Sequence, residues 1–355
     1  MKKRAVVVFN LGGPDAPQSV QPFLFNLFND PAIIALPNPL RWLVAKLIAK
    51  RRAPVARKIY AHMGGKSPLL ELTREQAAAL QSVLNDEDKN VQNLVFIAMR
   101  YWRPFSDETA REVKKFDPDE IVLLPLYPQF STTTSGSSIR DWKKSAARIG
   151  LNAPTHAICC YPVDPGFIEA VGARIEDVLN RVRKASSGMK IRILFSAHGL
   201  PKKIIDGGDP YQWQVERTVK ACLDVLNARG LDDFDHAICY QSRVGPMQWI
   251  GPSIEDEISR AAADGVAIVV TPIAFVSEHS ETRVELDIEY RDFAERLGVL
   301  SYSRVDTVGT HPAFISGLRH LVFQGARCTQ EICSGSCEES QYCPHSAIRC
   351  ALSKS

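Results

Sequence analysis

One strand-and-loop unit is written twice along this chain, and that repetition leaves little freedom in how it can fold. Ala5-Val-Val-Val-Phe9 runs into Asn10-Leu-Gly-Gly-Pro14, and Ile191-Arg-Ile-Leu-Phe195 runs into Ser196-Ala-His-Gly-Leu-Pro201. A second pair follows: Leu94-Val-Phe-Ile-Ala98 leads to Met99-Arg100-Tyr101, and Ala237-Ile-Cys-Tyr240 leads to Gln241-Ser242-Arg243. A third pair is Ile121-Val-Leu-Leu-Pro-Leu-Tyr127 and Ile268-Val-Val-Thr-Pro-Ile-Ala-Phe275. The fourth is His156-Ala-Ile-Cys-Cys-Tyr161 and Leu300-Ser-Tyr-Ser-Arg-Val305, each followed by Pro-x-Phe-Ile opening a helix at Pro165 and Pro312. Short apolar runs alternating with longer amphipathic stretches predict parallel strands covered by helices.

The predicted fold is therefore α/β: two similar Rossmann-like doubly wound domains with parallel four-stranded sheets and a cleft between them. The expected boundaries are 1–160 for the first domain, 161–325 for the second and 326–355 for a cysteine-rich extension. In such sheets ligands bind beyond the carboxyl ends of the strands. Both halves place their unusual loops there, so the cleft is the expected site.

Composition narrows the class. Of the 355 residues 45% are hydrophobic and 23% charged, the balance of a globular chain long enough for a large core without disulfides. The net charge of +3 and the lack of an arginine-rich or RNA-binding motif argue against a nucleic-acid partner. Met1-Lys2-Lys3-Arg4 followed by Ala5 to Phe9 has the polarity of a signal peptide, but the apolar run is too short and no small-residue cleavage site follows. A buried strand is the expectation there. No stretch reaches the roughly 18 apolar residues of a membrane span, and a cytoplasmic location is expected. Five of the nine cysteines, Cys328, Cys333, Cys337, Cys343 and Cys350, fall in the last 28 positions. In a cytoplasmic protein such crowding favours metal or cluster ligation over disulfides.

Two runs carry chemistry. His198 follows a buried strand directly, so it stands at the carboxyl edge of the second sheet. Its titration near neutrality suits proton transfer or metal ligation; alone, it would read as a loop histidine. The second run is Ser277-Glu278-His279-Ser-Glu281-Thr-Arg283-Val-Glu285-Leu-Asp287-Ile-Glu289. A helix starting after Ser277 would set Glu278, Glu281 and Glu285 on one face, with Glu289 continuing the row. Like charges at that spacing destabilise a helix, and a passing cation would offset them. A solvated acidic face is the plainer reading for Glu289. Oxygen and imidazole ligands suit a transient divalent first-row metal.

Residues 36–52, Leu36-Pro-Asn-Pro-Leu-Arg-Trp-Leu-Val-Ala-Lys-Leu-Ile-Ala-Lys-Arg-Arg52, predict a helix with an apolar stripe of Leu40, Leu43, Val44, Leu47 and Ile48. Arg41, Lys46, Lys50 and Arg51 surround it. Two readings stand side by side: a helix lying in the interface of the inner membrane face, and a core-facing helix with basic ends.

Taken together, Ser196-Ala-His198-Gly-Leu-Pro, Gly208-Asp209-Pro-Tyr211, Gln241-Ser-Arg-Val-Gly-Pro-Met-Gln-Trp249 and Pro272 through Tyr290 resemble the signatures of ferrochelatases. Asn10-Leu-Gly-Gly-Pro14, Gly64-Gly-Lys-Ser-Pro68, Arg100-Tyr101 and Tyr127-Pro-Gln-Phe-Ser131 extend the resemblance over nearly the whole chain in order. It implies a chelatase-like fold that inserts Fe²⁺ into protoporphyrin IX, with His198 accepting pyrrole protons and Glu281 completing the iron site. It places Glu278, His279 and Glu285 on an acidic path for metal or protons. It sets Asn10, Leu11, Arg52, Tyr60, Ser67, Tyr101 and Trp249 around the porphyrin; Leu11 stands where some members carry methionine.

The tail resembles that of ferrochelatases with a [2Fe–2S] cluster, which takes four ligands. No cysteine stands in the Ser131-Thr132-Thr133-Thr134 loop that supplies a ligand in the animal enzymes. The expected set is Cys333, Cys337, Cys343 and Cys350, with Cys328 as substitute; Cys159 or Cys160 as a fourth ligand, a zinc site and uncoordinated thiols are the alternatives. Competing functions are a chelatase for another tetrapyrrole or metal, such as coproporphyrin or cobalt, and a porphyrin or haem carrier without chemistry. A homodimer is left open.

Overall fold

A computed structural model describes residues 1–185, 188–243, 245, 247–335 and 343–353. The chain divides into two compact units, Met1–Cys160 with Leu318–Glu338, and Tyr161–Gly317 with Glu339–Ser355. The described strands are β1 (Lys2–Asn10), β2 (Val91–Met99), β3 (Glu120–Pro125), β4 (Thr155–Ile158), β5 (Ile191–His198), β6 (Asp235–Gln241), β7 (Ala267–Pro272), β8 (Tyr302–Arg304) and β9 (Ile332–Cys333). Each runs parallel to its sheet neighbours.

The first sheet has the order β2-β1-β3-β4-β9 and the second β6-β5-β7-β8. Within the repeat the order is the same, which is what the duplicated sequence pattern predicts. Strands covered on both faces read as unbroken apolar runs. Ala5 through Phe9 and Ile268 through Val270 are accordingly buried. Side chains pointing to one face of β5 and β7, among them Leu194, Ile268 and Val270, pack with Ile254, Ile258 and Leu286 in one core. Removing such a side chain from water contributes roughly 1.5–3 kcal/mol.

The first sheet departs from the predicted four strands by one. β9 pairs its two residues with β4, as Ala157↔Ile332 and Ile158↔Cys333. The outer edge of β4 needs partners for its backbone groups; Ala157 N donates to Glu331 O and Cys159 N to Cys333 O, both at 2.8 Å. Ile332 adds apolar contact with the first core. A two-residue strand has no period, so the pattern could not announce it.

Helix Leu40–Ala61 departs from the core-facing reading of its leucine stripe. It buries a stripe of small side chains, Ala45, Ala49 and Ala53, and leaves Leu40, Leu43 and Leu47 51–54% exposed. Val44 and Ile48 are half-buried. Ile33, Leu36 and Trp42 extend the exposed apolar surface. Among the described residues no helix is long and apolar enough to cross a membrane.

Candidate active site

His198 ends β5 and pairs in register with Gln241, the last residue of β6. Gly199 then turns the chain away so closely that a Cβ there would lie 2.9 Å from Gln241 O. Gly199 N donates to that oxygen at 2.8 Å, fixing where the imidazole starts. Tyr211 OH also donates to His198 O at 3.1 Å. The ring is then oriented from one side: Nδ1 lies 2.8 Å from Glu281 Oε2. An ionised carboxylate only accepts, so Nδ1 carries the hydrogen and the lone pair of a neutral ring sits at Nε2. The side chain remains 38% exposed.

Glu281 and Glu285 come from a π-helical segment, Glu281–Glu289. Segments of this wide-turned kind are rare and cluster at functional sites. Ser242, whose φ is +64°, aims one hydroxyl at both carboxylates, 3.2 Å from Glu281 Oε2 and 2.5 Å from Glu285 Oε2. Gln241 Nε2 donates to Glu285 Oε2 at 3.1 Å and to Glu281 O at 3.0 Å. Ser196 Oγ holds that amide by donating to Gln241 Oε1 at 2.8 Å. Hydrogen bonds thus join His198, Glu281, Ser242, Glu285, Gln241 and Ser196 in one network.

Its electrostatics follow from crowding. Burial opposes the imidazolium of His198, but the charge and hydrogen bond of Glu281, helped by Glu285, outweigh it and hold the pKa above the ordinary value. Burial likewise opposes the Glu281 carboxylate, and His198, His279 and Ser242 overcome it, so this acid stays ionised below the usual range. Glu285 goes the other way. Burial and the neighbouring charge of Glu281 push it up to about 7. Two carboxylates sharing one hydroxyl are thus split into an anion and a proton holder.

His279 is buried, its ring 4.5 Å from that of Phe275, with Nε2 4.0 Å from Glu281 Oε1. Burial lowers its pKa, so the ring is neutral. Glu278 leaves the predicted row. The helix begins only after it, and its carboxylate accepts from Arg304 Nη1 and from Thr307 N, both at 2.9 Å. A buried guanidinium needs an anion beside it, and this one takes Glu278. Glu289 is exposed, as its solvated reading had it.

The first unit gathers its predicted residues near the end of β1. Leu11, Tyr60 and Tyr101 share an apolar cluster with Phe23 and Phe28. Asn10 Nδ2 donates to Thr73 Oγ1 at 3.1 Å, and Tyr101 OH to Asp30 Oδ2 at 2.9 Å. Ser67 N donates to Pro14 O at 2.8 Å, in the loop that follows Leu11. Arg52 is exposed and lies over the Phe28 ring, 5.8 Å from its centre. In the second unit Trp249 packs against Gly199, beside His198. Its buried Nε1 has no hydrogen-bond partner among the described residues.

The four described tail cysteines fall into two pairs, Cys328 with Cys333 and Cys343 with Cys350. Cys343 and Cys350 are buried together with Ala347, and Gln214 Nε2 donates to Cys343 Sγ at 3.1 Å. The hydrogen bond with Cys343 is the main influence that draws the Cys350 thiol down to about 7. Cys333 is pushed up by burial and by neighbouring Cys328. Cys160 Sγ lies 3.9 Å from Ser334 Oγ and 3.6 Å from Cys159 Sγ. Cys337 lies outside the described residues, among which no group of three or more Cys, His, Asp or Glu is arranged to hold a metal.

Sequence reasoning singled out His198, Glu281, Glu285 and His279, and passed over Gln241, Ser242, Ser196 and Arg304 as site residues. The available signal was register: Gln241 ends the strand beside the one that ends in His198.

Comparison with known proteins agrees. The family model described as ferrochelatase matches residues 3–326. A ferrochelatase of Caulobacter vibrioides is 52% identical over 321 residues, covering 90% of each chain. One of Hyphomonas neptunium is 49% identical over 345 residues, covering 97% of this chain and 93% of its own. Among solved structures, SirB from Bacillus subtilis with Fe³⁺ superposes with a TM-score of 0.52 at 13% identity, covering 92% of this chain and 96% of its own, and shows the common chelatase-like fold. With half of its residues shared with such relatives over nine-tenths of its length, this chain belongs to the ferrochelatase family.

Proposed function

We propose that this chain catalyses insertion of ferrous iron into protoporphyrin IX, giving protohaem and two protons. One observation carries the reading: the 2.8 Å contact of His198 Nδ1 with a half-buried, ionised Glu281, which leaves Nε2 as a basic lone pair at the sheet's carboxyl edge. Two pyrrole N–H groups must lose their protons before a metal enters the ring plane, and a neutral imidazole is a suited acceptor. The imidazolium that results is stabilised by Glu281. Fe²⁺, the metal substrate, meets carboxylate oxygen and, while the ring is neutral, the Nε2 lone pair, which takes up a proton only after the metal has left it; this donor set suits the ion without trapping it. Glu285, sharing Ser242 with Glu281, takes up and releases a proton near neutral pH. His279 borders the pair; Glu278 serves as an anchor for Arg304.

Asn10, Leu11, Arg52, Tyr60, Ser67, Tyr101 and Trp249 contact the macrocycle in this proposal. Arg52 and Ser67 bind propionates, for which guanidinium is well shaped. Anaerobic assay with Fe²⁺ tests the reading. Metallation of protoporphyrin IX is expected; tight porphyrin binding with no metallation would make the chain a carrier, and turnover of coproporphyrin alone would reassign the substrate.

Two further features belong to the proposal. The exposed Leu40, Leu43, Leu47 and Trp42, bordered by Arg41, Lys46, Lys50 and Arg51, match a helix resting on an anionic membrane surface at the cytoplasmic side. Cys333, Cys337, Cys343 and Cys350, with Cys328 as substitute, would hold a [2Fe–2S] cluster. The Cys343–Cys350 pair fits two of the four thiolates, since Cys350 ionises near neutrality. Iron and acid-labile sulfide in protein purified without oxygen, with visible absorption, is the expected result; their absence removes the cluster.

A further inference from the structure

The carboxylates that face His198 and Ser242 sit on a segment that does not hold its own shape. A π-helical run closes its ladder at i→i+5 and is rarely longer than one turn. Here it spans Glu281–Glu289 before the α-helix Tyr290–Arg296 takes over. Something outside the segment must hold that register, and β8 supplies it. Arg304, its guanidinium side chain only 9% exposed, forks onto Asp287: Nε to Oδ1 at 2.6 Å and Nη2 to Oδ2 at 2.9 Å. Its remaining nitrogen, Nη1, reaches Glu278 Oε1 at 2.9 Å. Glu278 is pinned again by Thr307 N at 2.9 Å.

One guanidinium therefore grips the chain on both sides of the working pair, three residues before Glu281 and two after Glu285. Two residues before it on β8, the buried Tyr302 hydroxyl donates to Leu286 O at 2.8 Å. Arg291 Nε donates to Asp287 O at 3.0 Å, and Arg291 Nη1 to Tyr302 O at 2.8 Å. These donors meet the carbonyls where the wide ladder hands over to the α-helix. Sliding into ordinary α register would rotate Glu285 relative to Glu281 and take one of them off the Ser242 hydroxyl.

We propose that Arg304 and Tyr302 are positioning residues for the metallation reaction: they lock the π-helical register of Glu281–Glu289 and so keep Glu281 on His198 and Glu285 on Ser242. Arg304 acts through Glu278 and Asp287. A lysine cannot reproduce the fork, because it carries a single point charge. The functional half of this inference rests on the reading of the site as a metallation centre, while the register itself does not.

Three variants test it: Arg304→Lys, Tyr302→Phe and Asp287→Asn, the last a near-isosteric change at a half-buried position, for which an unchanged far-UV circular dichroism spectrum is expected. Amide hydrogen exchange over residues 281–291 reads how firmly the segment's backbone hydrogen bonds are held, and steady-state metallation with Fe²⁺ and protoporphyrin reads the consequence. Faster exchange confined to that segment is expected in each variant. For Arg304→Lys and Asp287→Asn, kcat should drop about 10-fold or more, in the range seen when supporting partners of a metal-site ligand are removed. KM for porphyrin should stay within about twofold, since no ring contact is lost. Unchanged exchange in all three variants, or loosened exchange with undiminished kcat, overturns the proposal. Absence of metallation by the unaltered protein would instead refute the proposed function and leave the exchange result standing.

Discussion

His198 differs from an ordinary loop histidine in one respect: what holds its other nitrogen. Glu281 fixes the tautomer and favours the charged ring, so the His198 pKa stands above 6.5. In the proposed reaction the neutral ring accepts the proton, so activity should fall as pH drops through that raised pKa. Glu281→Gln removes the favouring charge, lets burial prevail and takes the pKa down. The His198 resonance should then titrate at lower pH by NMR, and an unmoved titration would contradict the pairing. Linkage runs the same way. A raised histidine pKa gives stability that is present below the unfolded-state value near 6.5 and lost as pH rises through the folded-state value. His198, Glu281 and Glu285 were legible because each sits in an unusual run of residues. Ser242, Gln241 and Arg304 were not, because their partners lie far along the chain: Ser242 reaches Glu281 across 39 positions.

Elements show where pattern reading succeeds and where it stops. Buried parallel strands announce themselves as apolar runs, and all four repeated pairs form strands, the third and fourth ending short of the runs read for them. The acidic row was read with three- and four-residue spacing; the wider π-helical turn keeps Glu281 and Glu285 together and leaves Glu278 to Arg304. The helix Leu40–Ala61 is the opposite case, since its small residues face inward and its leucines outward. Leu43→Asp with Leu47→Asp should abolish flotation with anionic vesicles and leave the melting temperature unchanged. Retained flotation would remove the membrane role. Helix crossing sets another limit. A Cβ at Gly166 would meet Ala313 O at 2.3 Å and Gly317 Cα at 2.8 Å, so helices Pro165–Ala185 and Pro312–Arg327 approach backbone to backbone. Gly166→Ala should cost about 1–3 kcal/mol, as overpacking does, read as a lower urea midpoint at constant slope.

Across the whole molecule, the duplicated unit fixed two sheets of like order, and duplication did not mean equal chemistry. Where the second unit ends its paired strands with His198 and Gln241 and continues into Ser242, the first ends them with Asn10 and Met99 and continues into Arg100 and Tyr101. There Arg100 is tied to Asp30 at 2.8 Å and Tyr101 donates to the same carboxylate at 2.9 Å, a closed ion pair without an open base. In the proposed reaction the proton acceptor, His198, is therefore a residue of the second unit. The tail could not be placed from sequence, because β9 is too short for a pattern and cysteine spacing does not choose ligands. Anaerobic metallation of protoporphyrin IX by the unaltered protein and by His198→Ala, followed by the loss of porphyrin fluorescence with Fe²⁺, tests the account most directly. It predicts turnover by the first and a loss of roughly 10²–10⁴-fold in kcat in the second, the contribution of a positioned general base. Porphyrin should still bind the variant. Equal turnover by both would contradict it.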